Sequence, residues 1–160
     1  MSKISWQNPV VHTPSFVEYK ISGAELKKKY EGLGIEVWPQ SYAWYYHTDV
    51  KGWAKLIPYL VVKSSLYVPD RRTCAWYAKK AAVLCDELFK LNTLPETWGG
   101  MPLGYHAFNT FWTGDCVMIM EPNDGFEDER GTYQDIWGLL DGDIVFPIGE
   151  NGYKPDKVFM

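Results

Sequence analysis

The sequence predicts an α+β fold: an antiparallel sheet packed against a helix that carries a cysteine at its N-terminus. Three observations lead there. Between residues 74 and 88, Cys74, Tyr77, Ala78, Ala81, Leu84, Cys85 and Leu88 recur at steps of three and four, one face of an α-helix. Residues 105–112 and 116–121 read as two strands, with Thr113-Gly114-Asp115 as the turn between them. The chain has 160 residues, 46% hydrophobic and 22% charged, which is enough for a single domain over 1–160 with one sizeable core.

Taken in order, residues 1–20 read as an extended arm with short strands at Pro9-Val10-Val11 and Phe16-Val17-Glu18-Tyr19. Ser22-Gly23-Ala24-Glu25 is a capping box, so a short helix runs from Glu25 to Leu33 and ends at Gly32 and Gly34. From Gly34 to Tyr46, strand and loop signals alternate around a break at Pro39. Thr48 or Asp49 caps a second helix whose buried face is Trp53, Leu56, Ile57 and Leu60, and Pro58 kinks or shortens it.

Thr73 stands where an N-cap belongs, which puts Cys74 in the first turn of the third helix. Free amides and the positive end of the helix dipole favour a thiolate there, and Arg71 and Arg72 add charge nearby. Cys85 lies on the same apolar stripe, deep in the helix, and reads as core packing. Past the hairpin, Asn123 to Gly131 is an acidic loop without EF-hand ligand spacing. The chain ends in two strands, around Ile144-Val145-Phe146-Pro147 and Val158-Phe159, with Asn151-Gly152 as a hairpin signal between them.

Several classes are disfavoured. The net charge is −4, so the chain is not expected to bind nucleic acid. No apolar run approaches the ~18 residues of a membrane span. The first residues lack a signal-peptide core, and three cysteines do not suggest a disulfide framework, so a cytoplasmic or other reducing location is expected, with unsignalled export as an alternative. His12 and His47 have no metal-ligand spacing around them, and no cofactor is implied.

The chemistry concentrates in Cys74, His106 and Glu121. A thiol nucleophile needs an imidazole to exchange protons with and a polar group to orient that imidazole. Hairpin register tests whether His106 and Glu121 can meet. A two-residue loop of Thr113-Gly114 sets them directly opposite. A loop of Gly114-Asp115 makes them diagonal neighbours on one face, roughly 4.5–8 Å apart. A three-residue loop separates them. Asn109, three residues from His106, falls on the other face of its strand, so Asn123 is the better alternative for orienting the ring. Gln40 is a weaker candidate, as a donor to a developing oxyanion.

These residues resemble the transglutaminase-like superfamily of cysteine enzymes and its papain-like relatives. The resemblance rests on Cys74 at a helix start with Ala78 in its first turns, on Gly104-Tyr105-His106-Ala107-Phe108, and on Glu121-Pro122, in that order and at separations of the size that family uses. It departs in two places: Glu stands where Asp is usual, and Phe follows Ala where Trp is common. The resemblance implies Cys74 as nucleophile, His106 as general base and acid, and Glu121 as orienting carboxylate. It also implies a peptide or amide substrate, with cell-wall peptides within the family's breadth. The alternative is a non-catalytic binding or structural module, phage- or surface-associated, that keeps the fold. Its 8 Trp, 11 Tyr and 7 Phe would then matter more than its thiol.

Overall fold

The computed structural model describes residues 13–39, 42–125 and 144–160. His12, Gln40, the Pro9-Val10-Val11 strand and the acidic loop beyond Gly125 lie outside the described residues. The class is α+β, as expected. Strand β1 (Tyr19–Ser22) pairs antiparallel with β3 (Trp44–His47). A six-stranded sheet is formed by β2 (Glu36–Trp38), β4 (Glu96–Met101), β5 (Gly104–Trp112), β6 (Val117–Met120), β7 (Val145–Pro147) and β8 (Lys154–Phe159), in the order β2-β8-β4-β5-β6-β7. The expected antiparallel sheet is in fact mixed, because β2 joins β8 in parallel at one edge.

Helix α1 (Gly23–Glu31) begins as its capping box dictates. The Ser22 hydroxyl accepts from the Glu25 amide at 3.2 Å and donates to the Glu25 carboxylate at 2.8 Å. Only Tyr19 of the expected Phe16–Tyr19 strand joins β1. Helix α2 (Val50–Leu56) is capped by Asp49, whose carboxylate accepts from the Gly52 amide at 2.8 Å. Pro58 turns the continuation into a short 3-10 segment, Ile57–Tyr59. Helix α3 (Cys74–Phe89) closes at Lys90, which takes the left-handed conformation at φ 58°.

The sheet is covered on both faces. On one, Phe111, Met118, Met120 and Val145 pack against Ala81, Cys85 and Phe89 of α3 and Trp53 and Leu56 of α2. On the other, Phe108, Ile119 and Phe146 surround Tyr153, while Leu26 and Tyr30 of α1 meet Trp112, Val117 and Val158. Strand alternation sorts β5 between the two: odd-numbered residues face α3 and even-numbered ones face Tyr153 and α1.

The last turn departs from the sequence reading. Asn151 and Gly152 do form a tight turn, with φ of 64° and 70°. They do not join a hairpin. Strand β7 pairs with β6 and β8 with β4 and β2, so the two flank opposite sides of the sheet. The pairing of β7 with β6, and of β8 with both β2 and β4, overrides the local turn signal.

Candidate functional site

The hairpin loop decides the site. The Thr113 amide donates its ladder bond to the Cys116 carbonyl, and Asn109 pairs with Met120, so the loop is Gly114-Asp115. Gly114 adopts φ 97°, the left-handed first position of a type II′ turn, which a glycine occupies without steric cost. This register places His106 and Glu121 diagonally on one face. The β5–β6 ladder ends at Asn109 and Met120, and beyond it no described strand covers the outer edge of β5.

The head of α3 meets that edge. Helix α3 is the face-partner of β5, and Asn109 fixes the two together: its Nδ2 donates to the carbonyl oxygens of Ala78 at 2.9 Å, Leu94 at 3.2 Å and Pro95 at 3.2 Å. Cys74, the first residue of α3, is half-buried and hydrogen-bonds the His106 ring. Thr73 occupies the N-cap position but makes no side-chain cap bond.

His106 and Glu121 are both buried, and His106 Nε2 lies 2.8 Å from Glu121 Oε2. Since Nε2 is committed to the carboxylate, Nδ1 is the ring nitrogen left for the Cys74 thiol. Glu121 is held in turn. The Tyr153 hydroxyl donates to Oε2 at 2.9 Å, and the Asn123 amide to Oε1 at 3.3 Å. The Tyr153 ring also stands edge-on to His106, with centroids 6.1 Å apart.

The electrostatics follow from these contacts. Burial opposes ionisation of Cys74. Hydrogen bonds from His106 and from the amides of Ala107 and Ala75, with the imidazolium charge, outweigh it and hold the thiol below its ordinary value. Burial likewise works against a charged His106. The bonds to Cys74 and Glu121, and their negative charge, push the ring up to about 9. The arrangement therefore favours a thiolate beside an imidazolium. Cys85, by contrast, is pushed well up by burial and is inert.

The structure brings Cys74, His106 and Glu121 together and leaves the other candidates apart. Asn109 lies on the face away from His106, as strand alternation requires. The Asn123 side chain accepts from the Gly125 amide at 3.1 Å, so only its backbone serves the site. Arg71 and Arg72 are exposed, and the Arg72 guanidinium sits over the Trp76 ring at 5.2 Å; charge from these arginines is not among the causes of the thiol's shift. His47 is buried, stacked on Tyr19, with Nδ1 3.2 Å from the Thr48 carbonyl. Among the described residues no group of three or more His, Cys, Asp or Glu could hold a metal ion. The sequence reading missed Tyr153 and the Ala107 amide. A tyrosine directly after a tight turn gives no sign of reaching back to a carboxylate 32 residues earlier in the chain, and a strand amide gives none at all.

The molecule is thus an α+β domain with a buried histidine–carboxylate pair at the head of a cysteine-bearing helix. No protein-family model matches the chain, and no curated protein is significantly similar to it. It is similar in fold to a solved structure described as "PSL1a-E64 complex", with a TM-score of 0.58 and 15% identity. The match covers 88% of this chain and 51% of that one, so this chain spans about half the length of its structural neighbour.

Proposed function

We propose that this protein is a cysteine-dependent hydrolase or acyl transferase acting on an amide or peptide bond, built on a transglutaminase-like or papain-like core. The observation that carries the reading is that the His106 ring hydrogen-bonds Cys74 while its Nε2 lies 2.8 Å from Oε2 of the buried Glu121.

The thiolate of Cys74 attacks the substrate carbonyl carbon. The Cys74 backbone amide, at the open start of α3, is placed to donate to the developing oxyanion. As the C–N bond breaks, imidazolium His106 gives its proton to the departing nitrogen, and the acyl group stays on sulfur as a thioester. Water, or an amine in transfer, then attacks the thioester while His106 takes its proton. The C–S bond breaks and the thiolate returns. Glu121 keeps the ring oriented and its charge compensated throughout.

The test is covalent trapping. The intact protein is incubated near pH 6.5 with iodoacetamide, with E64 (the compound in the neighbour's complex) and with a panel of peptide p-nitrophenyl esters, then mapped by mass spectrometry. Adducts on Cys74, formed faster than on free cysteine and slowed in His106→Gln, are expected. Labelling no faster than free cysteine, or equal at Cys74 and Cys116, overturns the reading.

A further inference from the structure

Pro122 follows Glu121 and enters none of the steps above. Register fixes its place in the ladder. In an antiparallel pair, hydrogen-bonded rungs alternate with unbonded ones. Thr113 and Cys116 form the bonded rung that closes the hairpin, so Phe111–Met118 and Asn109–Met120 are the next bonded rungs. The rung after them would join Ala107 to Pro122. Glu121 agrees with this alternation: its amide donates to the Ile144 carbonyl at 2.8 Å, on the β7 side, which assigns the β5 side to Met120 and, in register, to Pro122.

The ladder ends one rung short of that pair. Proline has no N–H to give to the Ala107 carbonyl. The Pro122 carbonyl, which the Ala107 amide would use, is taken by the Val62 amide at 2.7 Å. The Val62 carbonyl accepts in turn from the Asp124 amide at 3.1 Å, so Val62 bridges Asn123 in parallel. This diversion is anchored on both sides. The Asp124 carboxylate accepts from the Ser64 amide at 2.7 Å. The Tyr77 hydroxyl, one turn along α3 from Cys74, reaches the carbonyls of Lys63 at 2.9 Å and Ser64 at 3.1 Å. The segment that holds Pro122 is thus tied to the helix that carries the thiol.

The consequence falls on one amide. Ala107 is fully buried, and a buried N–H has to find an acceptor within the protein. Deprived of its strand partner, the Ala107 amide donates to the Cys74 sulfur. Direction and register agree: the N–H that reaches the thiol is the one that the alternation of rungs turns toward the missing end of β6.

We propose that Pro122 and Val62 are positioning residues of the cysteine site: by ending the β5–β6 ladder one rung early, they reserve the Ala107 amide for the Cys74 sulfur. That the sulfur is a nucleophile rests on the acyl-transfer reading; that the amide serves the sulfur does not. In that reaction the amide acts twice. It holds the free thiolate before attack. When the second tetrahedral intermediate collapses, the C–S bond breaks, its electron pair returns to sulfur, and the amide donates to the charge that forms there.

The test removes single backbone N–H groups from the full chain. An α-hydroxy acid is incorporated so that an ester replaces one amide and the side chain is kept. The readout is the pH midpoint of ultraviolet thiolate absorbance, taken against the same chain with Cys74→Ser. His106 and Glu121, the titratable groups beside the thiol, are left untouched. An ester at Ala107 deletes the donor itself and should raise the midpoint by about one pH unit. An ester at Val62 combined with Pro122→Ala frees the carbonyl and supplies the missing N–H, so the rung can close; the midpoint should rise by about half as much or more. The Val62 ester alone is the milder change and should move the midpoint the same way, so it decides where the combined change does not fold. Val62→Ala keeps the amide and trims only a buried side chain; it should lower stability and leave the midpoint in place. An unmoved midpoint with the Ala107 ester or with the Val62 ester overturns the proposal, and so does an equal shift in Val62→Ala. Midpoints that move as expected in a chain that never turns over the peptide esters would count against the acyl-transfer reading alone.

Discussion

His106 Nε2 and Glu121 Oε2 lie 2.8 Å apart although the two residues are not cross-strand partners. Continuing the β5–β6 register sets Phe108 opposite Glu121, so the contact is diagonal and depends on the Gly114-Asp115 loop. Lengthening that loop by one residue would turn Glu121 to the other face and leave a buried carboxylate without its imidazole.

Glu121→Gln keeps a hydrogen-bond acceptor and removes the charge. His106 then loses part of what pushes it up to about 9, and the Cys74 thiolate loses imidazolium support. Labelling of Cys74 at pH 6.5 should slow by about tenfold or more, with its pH midpoint moved upward. An unchanged pH profile would show that the carboxylate charge has no hold on the thiol.

Tyr153→Phe removes one donor from a buried, charged acceptor. The expected cost is about 1.5–3 kcal/mol of stability, read from denaturant unfolding. Because Tyr153 positions Glu121 and not the thiol, the Cys74 labelling rate should fall less than in Glu121→Gln. A larger fall would place Tyr153 closer to the chemistry than its contacts indicate.

The pH dependence of stability separates a charged pair from a neutral one. His106 rises from 6.5 to about 9 on folding, so its contribution is full below pH 6.5 and is lost as pH rises through about 9. Cys74 falls from its ordinary 9.0, so its contribution is full above that value and is lost as pH falls through the lowered one. Below pH 9 the two slopes oppose each other, and they cancel where both groups titrate. Cys74→Ala removes the thiol's slope together with the share of the His106 rise that Cys74 supplies, leaving only what Glu121 holds. Its denaturant midpoint should still fall as pH rises above 6.5, over a narrower window than the rise to about 9 gives. A flat curve would mean that Glu121 alone does not raise the ring.

Asn109→Leu strands the carbonyls of Leu94 and Pro95 and unpins α3 from β5. Destabilisation of about 2–3 kcal/mol is expected by calorimetry or chemical unfolding. Even in the folded fraction, Cys74 should label more slowly near neutral pH, because the helix head is no longer tied to the strand that bears His106.

Lys90→Gly tests the end of the same helix. A lysine at φ 58° closes α3, where glycine has no Cβ to strain, so the substitution should stabilise by about 1 kcal/mol. Since Lys90 is a full helix length from Cys74, labelling should not change.

What the sequence by itself determined is local. The capping box at Ser22, the Asp49 cap, the α3 stripe with Cys85 in the core and the two hairpin strands are set by periodicity and turn chemistry, which act over a few residues. Register arithmetic narrowed the His106–Glu121 question to loop length without choosing between the two even loops. Tertiary structure decided the rest, because it depends on which distant surfaces pack. Competition between ladders separated β7 from β8 despite the Asn151-Gly152 turn. The docking of α3 through Asn109 brought the Cys74 thiol to the uncovered edge of β5. The return of the chain after β7 delivered the Tyr153 hydroxyl to Glu121. None of these contacts has a short-range signature, since each is stabilised only once sheet and helix have already buried their shared face.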